Sequence, residues 1–279
     1  MTITIIGIGL IGGSMAISLK EKGFATKIIG VDDNLSHQQK AIDLHLVDIV
    51  MPLEEAITAS QLVILAVPVN IAEKLLPRIL DNVNQQVVMD VGSTKAALLS
   101  SIAHHPKRGR FVATHPMWGT EYSGPDAAIR GAFIDKATII CNKDENDSDA
   151  IELVEKVYHL LGMHLLYMNA NDHDVHVAYI SHISHITSFA LANTVLEKEK
   201  EEDAIFELAS AGFESTVRLA KSNSAMWVPI FMQNKENILD VLNEHIAQLR
   251  KFKSCLEKEN YTYLQELIEH ANGIKRILK

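Results

Sequence analysis

From Thr2 to Met168 the chain alternates short, unbroken apolar runs with stretches in which apolar residues recur every three or four positions. The runs are TITII (2–6), KIIGV (27–31), QLVILAV (61–67), QVVMDV (86–91), RFVAT (110–114), ATIICN (137–142) and HLLYM (164–168). Helical patterns such as GGSMAISLKEKG and NIAEKLLPRIL lie between several of them. An apolar run without polar alternation suits a strand covered on both faces, and strands alternating with helices give a parallel sheet between helical layers. After Met168 the strand pattern stops, and helical periodicity fills about 172–200, 203–222, 225–258 and 261–278. The pattern predicts an α/β fold: an N-terminal Rossmann-type doubly wound sheet over 1–168 and an all-helical C-terminal domain over 169–279, with Asp172 a candidate cap for the first long helix.

Composition narrows the function classes. A chain of 279 residues suits two domains better than one core. The net charge of -9, without clustered Lys and Arg, argues against nucleic acid as a partner. Cys141 and Cys255 form no CxxC, so neither a disulfide framework nor a thiolate metal site is expected, and a reducing cytoplasm fits. The apolar start lacks a basic flank and is broken by glycines, and no 18-residue apolar span occurs, so neither a targeting signal nor a membrane segment is expected. The charge run EKEKEED (197–203) reads as a solvated helix end or loop.

The first candidate chemistry is IIGIGLIGGS, where Gly7, Gly9 and Gly12 follow a strand and open a helix. The second strand ends at Asp32, twenty positions after Gly12. This context marks a dinucleotide site: Gly7 for the tight turn, Gly9 for close approach of a pyrophosphate, and Gly12 for helix packing. The helix start at Leu10 and Ile11 supplies unpaired N–H groups to the anion. Asp32 would accept from the ribose hydroxyls and repel a 2′-phosphate, which favours NAD over NADP; FAD is the next candidate. Val67 and Pro68, at the end of the third of these strands, either pass near the cofactor or simply terminate the strand. In DVGSTK, Ser93 is the cap of the next helix, a hydroxyl facing the nicotinamide end, or both.

HPMWGTEYSGP (115–125) follows RFVAT at the same sheet edge. An alcohol dehydrogenase needs a group to take the hydroxyl proton, and His115, restricted to extended backbone by Pro116, is the candidate. Glu121 offers a carboxylate for orientation or substrate exclusion. In the helical half, Ala178, His182, His185 and Phe189 share a face, with Ser181 adjacent. These histidines suit a substrate pocket, a hydrogen-bonded helix interface or a metal site. No Glu or Cys stands at a matching spacing, so no metal is expected. Arg218 is either a bidentate carboxylate clamp or half of a structural ion pair. The stripe Ile238, Leu242, Ile246, Leu249, Phe252 and Leu256 predicts an amphipathic helix of about 30 residues and a homodimer through the C-terminal helices.

Together GIGLIGGS, DVGSTK, HPMWGTEYSG, SHISHITSFAL (181–191) and STVRLAKSNSAMW (215–227) resemble the prephenate and arogenate dehydrogenases of tyrosine biosynthesis, monofunctional type, over nearly the whole chain. The resemblance implies NAD-dependent oxidative decarboxylation of prephenate to 4-hydroxyphenylpyruvate, with arogenate to tyrosine as the alternative. It implies that His115 accepts a hydrogen bond from the C4 hydroxyl, that Ser93 contacts the same hydroxyl, that His185 binds substrate and that Arg218 holds a carboxylate. Trp118 departs from the smaller residue often found there. A β-hydroxyacid dehydrogenase, with a lysine base on the helical domain, and a non-catalytic NAD sensor are further alternatives; the Ser and His cluster and the joint presence of His115 and Arg218 count against them. The chain ends directly after the last expected helix, so neither a regulatory domain nor a fused mutase is expected, and inhibition by tyrosine would act at the active site.

Overall fold

The computed structural model describes residues 1–200 and 206–277. Two compact units emerge, 1–234 and 235–279. The first holds an eight-stranded sheet: β1 (Thr2–Ile6), β2 (Lys27–Val31), β3 (Ile49–Val50), β4 (Leu62–Leu65), β5 (Val87–Asp90), β6 (Phe111–Pro116), β7 (Ala137–Cys141) and β8 (His164–Met168). Its order is β3-β2-β1-β4-β5-β6-β7-β8, a doubly wound arrangement whose direction reverses between β1 and β4. Helices α1 (Leu10–Glu21), α2 (Leu35–Asp43), α3 (Leu53–Thr58), α4 (Val69–Asp81), α5 (Ala96–Ser101) and α6 (Ser148–Leu160) connect the strands. Side chains alternate across the sheet with the two-residue period of a strand. Ile3, Ile5, Leu62 and Ile64 enter the core with Met15, Leu19 and Tyr158. Ile6, Val63 and Leu65 enter the opposite core with Leu76, Ile79 and Phe111.

The wholly parallel sheet expected from the apolar runs holds only as far as β6. β7 pairs antiparallel with β6, with His115 opposite Ile139 and Pro116 opposite Thr138. The cause is the connection: residues 117–136 contain no crossover helix and bring the chain back along the neighbouring edge, which antiparallel strands permit. This pairing also draws His115 and Pro116 into the strand, past the expected end at Thr114.

The helices after β8 follow the expected order with altered boundaries. α7 (Ala170–Val177) passes through a π-helical turn, Ala178–His182, into α8 (Ile183–Glu199). Asn169, not Asp172, caps α7, accepting from the Asp172 N–H at 2.8 Å; Asp172 already lies in the first turn. The expected 203–222 helix begins outside the described residues and is then divided into Phe206–Leu208, α9 (Ala211–Val217) and a 3₁₀ turn, Arg218–Lys221. Of the charge run, Glu197 to Glu199 close α8, and its last residues lie outside the described ones. The single helix expected over 225–258 is broken into α10 (Ser224–Gln233) and α11 (Lys235–Glu257). The break falls at Asn234, whose buried side chain donates to the Asp174 carbonyl at 2.7 Å and lies 3.1 Å from His182 Nδ1. The second unit consists of α11, α12 (Tyr261–Ala271) and a closing 3₁₀ turn.

Candidate active site

The glycine turn joins β1 to α1 at the point where the strand order reverses, the place where open α/β sheets hold ligands. Gly7 has φ +92°, and a Cβ there would lie 2.5 Å from the Ala66 carbonyl oxygen. A Cβ on Gly12 would lie 2.2 Å from the Gly7 carbonyl oxygen, so both positions demand glycine for internal reasons. Gly9 differs: its backbone is ordinary, and a Cβ would meet nothing nearer than the Gly124 nitrogen at 4.0 Å. No internal clash demands glycine at position 9, which leaves close approach of a ligand as the reason for it. Gly9 precedes Leu10 and Ile11 at the start of α1, where no side chain caps the helix and no acidic residue occupies the first turn. Such N–H groups suit a pyrophosphate. Asp32 follows β2 and accepts from the Ile8 N–H and the Asn34 N–H, both at 3.0 Å, which leaves lone pairs for ribose hydroxyls. Val67 lies against the Gly7 turn, and Pro68 stands immediately before α4. These residues fit a dinucleotide.

His115 is buried at the carboxyl end of β6. Its Nδ1 lies 2.9 Å from His173 Nε2, and His173 Nδ1 lies 2.7 Å from Asp174 Oδ1. Asp174 in turn accepts the Lys95 N–H on Oδ1 and the Ala96 N–H on Oδ2, each at 2.9 Å. Asp174 thus caps α5 from another element, so Ser93 is not the cap. Ser93 remains half-buried in a turn pinned by Asp90, which accepts the Gly92 N–H, and by Asp174. Behind it the fully buried Lys95 ammonium pairs with Asp90 and donates to the Thr114 carbonyl at 2.8 Å. Burial, then repulsion by His173, Lys95 and His182, holds His115 well below the ordinary histidine value. Burial lowers His173 as well, against the pull of Asp174.

From the helical side, His182 is buried and His185 half-buried; Ser181 lies beside them, its carbonyl accepting from His185 Nδ1 at 3.0 Å. Burial pushes His182 down to about 4 and also lowers His185. His185 stacks on Trp227 with ring centroids 3.5 Å apart. Arg218, half-exposed in the turn after α9, donates to Glu121 Oε2 at 3.4 Å, which brings the two residues together at the edge of the site. Trp118 is half-buried, its ring edge-to-face with Phe133 at 5.3 Å. The loop after β6 folds back over the cofactor edge: Gly124 approaches Gly9, and the Ile129 N–H donates to Ser14 Oγ on α1 at 2.9 Å. Among the described residues no group of three or more His, Cys, Asp and Glu could hold a metal.

His173, Asp174, Lys95 and Asn234 were not among the residues singled out in the sequence. Asp174 precedes Ala178 and His182 at four-residue steps, so extending the helical face by one turn would have reached it.

Two family models match the chain: the prephenate dehydrogenase nucleotide-binding domain over residues 15–167 and the prephenate dehydrogenase dimerization domain over 169–270. Prephenate dehydrogenase from Bacillus subtilis is 29% identical over 285 residues, spanning 98% of this chain and 76% of that protein. The crystal structure of prephenate dehydrogenase from A. aeolicus, in complex with hydroxyphenyl propionate and NAD+, superposes with a TM-score of 0.90 at 30% identity, covering 99% of this chain and 97% of that one. Synechocystis arogenate dehydrogenase matches with a TM-score of 0.79 at 26% identity over 100% of both chains. A dinucleotide turn, a buried histidine at the neighbouring strand end and both domain matches converge on one conclusion: the chain belongs to the prephenate dehydrogenase family.

Proposed function

We propose that this chain, an NAD-dependent oxidoreductase, converts prephenate and NAD⁺ to 4-hydroxyphenylpyruvate, carbon dioxide and NADH. The observation that carries the reading is His115: a histidine kept neutral by its surroundings, on a strand whose following loop covers the dinucleotide turn. The start of α1 and Gly9 hold the pyrophosphate, and Asp32 takes the ribose hydroxyls and disfavours NADP. Bound NAD⁺ supplies the acceptor for the hydride from ring C4. His115 draws off the C4 hydroxyl proton as the C–O bond becomes a carbonyl, with Ser93 on the same hydroxyl. Loss of the ring carboxylate as carbon dioxide leaves the electron pair to the ring, which becomes aromatic, and His115 returns the proton to the phenol oxygen. Arg218 grips a substrate carboxylate, Glu121 positions that guanidinium, and Ser181, His182 and His185 line the pocket.

Residues 1–168 serve as the nucleotide-binding part and 169–279 as the substrate and dimerisation part, with two chains joined through the C-terminal helices. Two buried free cysteines accord with a reducing cytoplasm, and no helix among the described residues is long and apolar enough to cross a membrane. Tyrosine, which shares the 4-hydroxyphenyl ring and the terminal carboxylate of the product and differs from it in an amino group at the place of the side-chain ketone, would compete at this site.

NADH formation from prephenate with NAD⁺, run beside arogenate and NADP⁺, tests the reading. Turnover greatest with prephenate and NAD⁺ is expected. Turnover with arogenate alone would shift the substrate and leave the residue roles in place, and no turnover with either would overturn the proposal.

A further inference from the structure

We infer that His173 and Asp174 are positioning residues that fix the proton of neutral His115 on Nδ1, leaving the Nε2 lone pair as the atom that takes the substrate's hydroxyl proton. This inference rests on the reading of His115 as the base.

The argument follows the hydrogen bonds inward from α5. Both Asp174 oxygens accept backbone N–H groups, Lys95 on Oδ1 and Ala96 on Oδ2, so the side chain serves as an acceptor on each oxygen. An ionised carboxylate has no proton to give, so His173 Nδ1 is the donor across the 2.7 Å contact with Oδ1. A neutral imidazole carries one ring proton, and with it on Nδ1 the Nε2 of His173 can only accept. The 2.9 Å contact between His173 Nε2 and His115 Nδ1 then requires the proton to sit on His115 Nδ1. Nε2 of His115 is left bare.

A doubly protonated His173, which would donate from both nitrogens, would reverse this order. Its full burial and the nearby Lys95 ammonium oppose that state. The chain is also mechanically fixed. Asp174 is tied to the start of α5, its own carbonyl accepts from Asn234, and His173 is wholly enclosed. When His115 takes a proton, the imidazolium finds a ready acceptor in His173, itself held by the Asp174 carboxylate. An acidic residue aligning a histidine base through one bond is a recognised device, and here a second histidine extends it.

The direct test is the tautomer of His115 in the intact wild-type protein, read by nuclear magnetic resonance of isotope-labelled histidine ring nitrogens, with the His115 signals identified by their loss in His115→Asn. A proton on Nδ1 is expected, and a proton on Nε2 overturns the inference whatever the activity. Kinetics provide the second readout. His173→Leu removes the acceptor, and its kcat should fall by about 10²-fold or more with NAD⁺ affinity unchanged. His173→Gln keeps an amide oxygen near the position of the lost nitrogen and should recover at least about tenfold of that loss. Equal losses in the two variants would reduce the pair to a packing role. Wild-type protein that forms no NADH from prephenate or arogenate would refute the functional reading, while the tautomer would still be decided by its own measurement.

Discussion

A histidine can act as a base only where it is neutral before the reaction, and the surroundings of His115 secure this. Burial excludes the water that would solvate an imidazolium, and the buried Lys95 ammonium, His173 and His182 oppose a further positive charge. The acidic limb of kcat/KM should therefore lie below pH 6.5, the ordinary histidine value, if His115 controls it. A limb centred above that value would contradict the assignment. The same shifts bear on stability. His115, His173 and His182 all have lowered values in the folded chain, so the unfolded chain binds protons first as the pH falls. Their contribution is complete above about pH 6.5 and is lost progressively as the pH drops through the lowered folded values, about 4 for His182. The melting temperature should decline across this window, and His182→Gln should make the decline shallower; a slope unchanged in that variant would remove His182 from the effect.

At the scale of the element, the glycine turn separates structural demand from ligand demand. Gly7→Ala forces a side chain into a positive-φ position against the Ala66 carbonyl and should cost on the order of 1–3 kcal/mol of stability. Gly9→Ala meets only an ordinary contact, the Gly124 nitrogen at 4.0 Å, at an ordinary φ, so it should melt with the wild type yet bind NAD⁺ at least about tenfold more weakly, because the methyl occupies the pyrophosphate approach. Thermal melts and calorimetric titration read both; equal NAD⁺ affinity in Gly9→Ala and the wild type would place the cofactor elsewhere. The seven longer strands were legible because each is a continuous apolar run, whereas Ile49–Val50 is too short to register as one. The reversed direction of β7 was not legible, because it depends on how residues 117–136 return, and apolarity carries no strand direction. The break at Asn234 was hidden by apolar periodicity on both sides of a polar residue that turns inward to Asp174 and His182. The glycine turn and His115 could be read locally. His173 could not, because its meaning lies in a partner 58 residues away.

At the scale of the whole molecule, α11 carries the apolar stripe expected for association, although it spans 23 residues where about 30 were expected. Ile238 is buried, while Leu249 and Leu256 on the same stripe are 55% and 67% exposed. Exposed leucines at helical spacing suit an interface with a second copy, in accord with the dimerization-domain match over 169–270. Light scattering should give about twice the 30.9 kDa chain mass, and Leu249→Glu with Leu256→Glu should shift the protein toward the single-chain mass. A monomeric wild type at working concentration would contradict the dimer. In the proposed reaction, neutral His115 takes a proton while the dinucleotide edge holds NAD⁺. The most direct measurement is the initial rate of NADH formation from prephenate, comparing the wild type with His115→Asn at equal NAD⁺ saturation. The variant should bind NAD⁺ as the wild type does and lose about 10²- to 10⁴-fold in kcat. Undiminished turnover in His115→Asn would contradict the account.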